Sequence, residues 1–137
     1  MRRMLTLIVV VVAVMAVALP VQASSQFRAE LSGANEVPSG DADGSGSAHV
    51  TLRQDGSVCF DIRTTGVDDI VAAHIHEAVA GVNGGVVVNF DVATNGLAGC
   101  VVGDLATLDA IRSNPAGYYV NVHSLEYPGG AVRGQLG

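Results

Sequence analysis

His74 and His76 stand two residues apart in the run Ala73-His74-Ile75-His76, and His123 closes the run Val120-Asn121-Val122-His123. Successive side chains of a strand leave opposite faces. His74 and His76 therefore share a face opposite Val71, Ala73 and Ile75, and His123 lies opposite Val120 and Val122. If the two strands lie near each other, three imidazoles converge. Three neutral imidazoles are a donor set for copper or zinc with one open position. The plainer alternative is that these rings are solvated or bonded to loop backbone. Asp41-Ala42-Asp43-Gly44-Ser45-Gly46 copies the first half of a calcium loop, but its twelfth position is Leu52 instead of a bidentate glutamate, so an acidic turn is the better reading. No Gly-x-Ser-x-Gly elbow, nucleotide-binding glycine pattern or His-Glu-x-x-His run occurs, and no catalytic or cofactor-binding residue is assigned.

The elements that must position the histidines are short strands. Phe27, Ala29 and Leu31 alternate with Arg28 and Glu30, Ala48, Val50 and Leu52 with His49 and Thr51, and Val58, Phe60 and Ile62 with Cys59 and Asp61. Asp55-Gly56 marks a hairpin between the last two. Further strands are expected at 71–76, 86–90, 100–102, 118–123 and 131–136. Asp104 can cap one helix, in which Leu105, Leu108 and Ile111 recur at three-residue spacing before Asn114-Pro115 stops it. The expected fold is all-β, a Greek-key antiparallel β-sandwich of seven or eight short strands with one short crossover helix.

Residues 1–23 read as a cleaved signal peptide, with Arg2-Arg3, an apolar stretch over 5–19 and Val21-Gln22-Ala23 at the cleavage site. An uncleaved anchor is the alternative. Residues 24–137 then form a single domain carrying five arginines, thirteen acidic residues and no lysine, a net charge of −8. Scattered arginines on an acidic chain offer phosphates no neutralising stripe, which argues against nucleic acid and, after signal cleavage, against membrane as partners. Export places the two cysteines, Cys59 and Cys100, where thiols oxidise in pairs, so a Cys59–Cys100 disulfide is expected, with two free buried thiols as the alternative. Glu36 follows the first strand and Arg133 lies within the last among apolar neighbours, a placement that predicts an ion pair pinning those strands. Tyr119, Tyr127 and the turn at 127–130 offer a contact patch.

The segments Leu31-Ser32-Gly33-Ala34-Asn35-Glu36-Val37-Pro38, Gly46-Ser47-Ala48, Ala73-His74-Ile75-His76 and Tyr118-Tyr119-Val120-Asn121-Val122-His123 resemble the CHRD (chordin-type) family, as does the long closing run Tyr127-Pro128-Gly129-Gly130-Ala131-Val132-Arg133-Gly134-Gln135-Leu136. The resemblance spans nearly all of 24–137. It implies a β-sandwich module of the kind repeated in chordin, an extracellular antagonist of bone morphogenetic proteins, and found singly in secreted microbial proteins. With one copy and no cysteine-rich modules, this chain is similar to the solo members, and growth-factor antagonism is not carried over. A second resemblance, to copper-zinc superoxide dismutase, rests on His74-Ile75-His76-Glu77, the late His123 and the glycine-rich last strand. It implies copper ligation by His74, His76 and His123. No histidine lies between His76 and His123 to bridge two metals, and the zinc ligands have no counterpart, so a mononuclear site is what remains.

These readings predict a secreted or cell-envelope, monomeric binding or structural module whose partner is an extracellular or cell-envelope protein or a small ligand, a binder rather than an enzyme, with no cofactor. The alternative is a mononuclear copper protein or copper oxidoreductase using the three histidines.

Overall fold

The computed structural model describes residues 23–137; the predicted leader falls almost wholly on residues 1–22, outside them. Eight strands form: β1 (Ser25–Ser32), β2 (Ser45–Leu52), β3 (Ser57–Thr65), β4 (Ile70–Glu77), β5 (Gly85–Asn89), β6 (Ala98–Val102), β7 (Tyr118–Ser124) and β8 (Val132–Gln135). Two α-helices interrupt them, α1 (Val92–Asn95) and α2 (Leu105–Ser113). The second is the predicted crossover helix, with the Asp104 carboxylate accepting from the Thr107 amide at 2.9 Å. The first lies between two strands, in a stretch with no apolar periodicity. Among the described residues no helix is long and apolar enough to cross a membrane.

All pairings are antiparallel, and the expected all-β architecture is what the chain adopts. The strands hydrogen-bond as one continuous sheet in the order β5-β4-β7-β8-β1-β2-β3-β6. The two layers of the sandwich are the two halves of that sheet, which curls until its ends approach. Phe60 of β3 stacks on Phe90, just past β5, with ring centroids 4.4 Å apart. The predicted alternation supplies the core: Ala48, Val50, Leu52, Val58, Ala73, Ile75, Val120 and Val122 are all buried, joined by Leu108 and Ile111 from α2. Burying these branched side chains from both halves is what holds the curled sheet together.

At the turn between β2 and β3, Gly56 adopts φ 87°, a conformation that glycine reaches without a side-chain penalty, and Asp55 accepts from the Ser57 amide. β6, an edge strand, is fastened to β3 by the Cys59–Cys100 disulfide between directly paired residues. β4 and β7, separated by some forty residues of chain, become neighbours because the α2 crossover returns the chain to β4's free flank.

Candidate functional site

Ala73 and Ile75 of β4 and Val120 and Val122 of β7 point into the core, so the intervening residues face outward. The register sets His74 opposite Asn121, His76 opposite Tyr119 and Ala72 opposite His123. The three histidines therefore form a triangle on the outer face. Ring centroids are 5.0 Å apart for His74 and His123, 5.7 Å for His74 and His76, and 6.1 Å for His76 and His123. One ring nitrogen from each lies within 4.8 Å of the others.

Backbone carbonyls orient two of the rings. His76 Nδ1 lies 3.0 Å from the Gly84 carbonyl oxygen and His123 Nδ1 lies 3.0 Å from that of Pro128. A carbonyl only accepts, so each Nδ1 carries the proton and donates, which leaves the lone pair on Nε2. Those two Nε2 atoms and Nδ1 of His74 are buried without a hydrogen-bond partner. His76 and His123 are thus bonded to loop backbone on one side and present free nitrogens on the other. Metal-binding imidazoles show the same division, one nitrogen to the ion and the other donating to a carbonyl. The orphaned nitrogens therefore fit a copper or zinc ion. Bonds of about 2.0–2.1 Å would set the donors roughly 3.3 Å apart, so ligation requires the rings to close inward.

Burial is the first cause of depressed basicity in all three. It pushes His74 down to about 4, with further pressure from His123 and His76. It lowers His76 and His123 too, against the upward pull of the Gly84 and Pro128 carbonyls. The triad is neutral at pH 7, the form that ligates.

A loss of stability on acidification follows. Between pH 6.5, the ordinary imidazole value, and about 4 the unfolded chain binds a proton that folded His74 refuses. Stability therefore falls as pH falls through that window. Discounted for partial exposure, His74 contributes about 2 kcal/mol to the loss. Urea denaturation of the wild type and of His74→Phe at neutral pH and near pH 4 should show a shallower decline in the variant; parallel declines would contradict the assignment.

Around the triad the outer face of β4, β7 and β8 is roofed by the loops at 33–44 and 78–84. Glu36 and Arg133 are 4% and 3% exposed and form an ion pair, Nη2 to Oε2 2.6 Å and Nε to Oε2 2.7 Å. Burial pushes the Glu36 carboxyl up, against the hydrogen bonds and charge of Arg133 that pull it down. Asn121 Nδ2 donates to Glu36 Oε1, and the Arg133 guanidinium also donates to the Val82 carbonyl and to Asn83 Oδ1. Arg133 lies over the Tyr119 ring, 4.5 Å from its centroid, and Tyr119 stacks on His76 at 4.9 Å. The Tyr119 hydroxyl accepts from the Gly84 amide at 3.2 Å, so one residue of the loop is held by Tyr119 through its N–H and holds His76 through its carbonyl. Position 84 must be glycine, because a Cβ there would sit 1.9 Å from the Glu77 carbonyl oxygen.

The contact-patch reading of Tyr119 is corrected: the residue is 2% exposed, because the roof covers a face that alternation alone marks as outward. Tyr127 stays partly exposed at the rim. Gly84, Pro128, Asn83 and Asn121 are site residues that sequence reasoning missed. The first three act largely through loop placement, for which the only signal was the Asn83-Gly84-Gly85 and Pro128-Gly129 turn residues. Asp41, in the acidic loop, accepts from the Asp43 amide as the chain turns toward β2.

No curated protein and no solved structure matches this chain. The CHRD domain model does match, over residues 27–136, a span that takes in every strand of the sheet but the first two residues of β1, the three histidines and the buried ion pair. The chain is a member of the CHRD domain family.

Proposed function

We propose that this chain is an exported CHRD module whose ligand is a single copper or zinc ion held by His74, His76 and His123. The observation that carries the reading is the convergence of three buried, partnerless imidazole nitrogens, two of them fixed in the ligating tautomer by backbone carbonyls. The set has neutral donors only, which suits copper and zinc better than calcium or magnesium. Bound copper would supply one-electron chemistry and bound zinc a Lewis acid. The chain's own part is to hold the donors, to fix their tautomers and to shield them beneath the loops. Export is supported by the leader pattern over 1–23 and by the disulfide, which persists in oxidising compartments.

Dialysis of the purified chain against copper(II) or zinc(II), followed by metal analysis, should give one ion per chain. His76→Ala should weaken binding by more than about 100-fold, since it removes one of only three donors. Affinity should also fall as pH drops below about 6 and protons compete for the imidazoles. Absence of stoichiometric metal, or retention unaffected in His76→Ala, would overturn the proposal.

A second reading, a binding module with no metal, draws on the groove of about 440 Å³ between the two roofing loops, lined by Val37, Ala80, Arg133 and Gln135 among others. Such a cleft is of ligand-binding size. The same dialysis separates the two, because a groove binder takes up no stoichiometric ion.

A further inference from the structure

One row of directly paired residues crosses the roofed face: His74 on β4, Asn121 on β7 and Arg133 on β8. Asn121 is 1% exposed. Its amide orientation is chemically determined, because Glu36 Oε1, its neighbour on the Arg133 side, belongs to a carboxylate ion-paired with Arg133 and can only accept; the nitrogen must face it. The oxygen therefore lies on the side of the amide turned away from Glu36. Asn121 Oδ1 is buried and has no hydrogen-bond partner, as are His74 Nδ1, His76 Nε2 and His123 Nε2. A buried carbonyl oxygen without a donor is destabilising, and none of the described groups supplies one. Three orphaned acceptors, Asn121 Oδ1 and the two Nε2 atoms, with the unpartnered His74 Nδ1, call for a positive or donating occupant.

We infer that Asn121 selects the ligand in the open position of the three-histidine metal site, its Oδ1 accepting a hydrogen bond from a ligand that carries a proton, such as water or hydroperoxide. The inference rests on the metal reading above and adds a preference the histidines cannot supply. Three imidazoles take any fourth donor, whereas an inward-facing carbonyl oxygen favours protic ligands and repels aprotic anions. The buried ion pair gains a role in the site: Glu36, held by Arg133, keeps the amide from flipping. Asn121 donates to no histidine, so it is a positioning residue for the incoming ligand and no part of the imidazole scaffold.

Azide, an anion with no proton to donate, is the probe. The copper(II)-loaded full chain is titrated with azide and the charge-transfer absorption followed, for the wild type, Asn121→Ala and Asn121→Val. The second substitution suits a strand and guards against loss of folding in the first. Loss of one acceptor-to-water hydrogen bond should raise azide affinity about three- to tenfold in both. Unchanged or weaker azide binding in variants that fold and load copper would overturn the assignment of Asn121 while leaving the metal site standing. A wild-type chain that takes up no copper would overturn both, so the two failures are told apart.

Discussion

Replacing Arg133 by methionine should destabilise the chain by about 3–5 kcal/mol, the cost of stranding one partner of a buried ion pair. The side chain is 3% exposed and its guanidinium serves three loop groups at once, Glu36, the Val82 carbonyl and Asn83 Oδ1. Its own carbonyl accepts from Asn35 as well. Methionine fills much of the volume but leaves the Glu36 carboxylate facing a burial penalty with only Asn121 to offset it. Arg133→Lys keeps the charge yet lacks the planar fork, so it should fall between the two. Adding Glu36→Gln to Arg133→Met should recover part of the loss, because the stranded charge goes with it. The deficit of the single variant should also shrink on acidification: without Arg133 the Glu36 carboxyl rises further, takes up a proton as pH falls, and the buried charge disappears. Urea denaturation at neutral pH and near pH 5 measures all of this. A loss below about 1 kcal/mol for Arg133→Met would mean that the pair is an ornament of the roof rather than its clasp.

How far such features are legible in the sequence depends on what fixes them. Alternation placed Ala73 and Ile75 inward and His74 and His76 outward because a strand's period is a local, steric property. It could not bring His123 to them, since that requires β7 to return beside β4, a pairing set by the crossover through α2 and by how the curled sheet closes. The Glu36–Arg133 pair was readable because charged residues among apolar neighbours seek each other. Its connections to Asn83, Val82 and Asn121 were not, because the 78–84 loop has no period to read. Tyr119 shows the same limit from the other side. The pattern says which face of the sheet a residue leaves, and says nothing of whether a loop then covers that face. The carbonyls of Gly84 and Pro128 carry no side-chain signature at all, although they decide the tautomers of His76 and His123.

The disulfide should matter as much for stability as Arg133 and not at all for the histidines. Cys59 and Cys100 close a loop with a sequence separation of 41, and in the chain-entropy account a loop of that length confers about 4 kcal/mol. For a domain of this size the double replacement Cys59→Ser, Cys100→Ser should lower Tm by roughly 15–20 °C. The loss should be local at first. β6 is an edge strand paired only to β3, and its contribution to the core is limited to partly buried side chains such as Val101. Once untethered, β6 should lose amide protection before the rest of the sheet does. β4 and β7 lie in the opposite half of the strand order, and none of the hydrogen bonds that orient His76 or His123 passes through β3 or β6. The folded variant, held well below its lowered Tm, should bind copper within about twofold of the wild type, because sites with no shared contacts behave additively. Hydrogen exchange followed by copper titration on the same sample checks both halves. A large drop in copper affinity with β4 and β7 still protected would show that the two halves of the sheet are mechanically coupled, and that the bridge tunes the site as well as holding the edge.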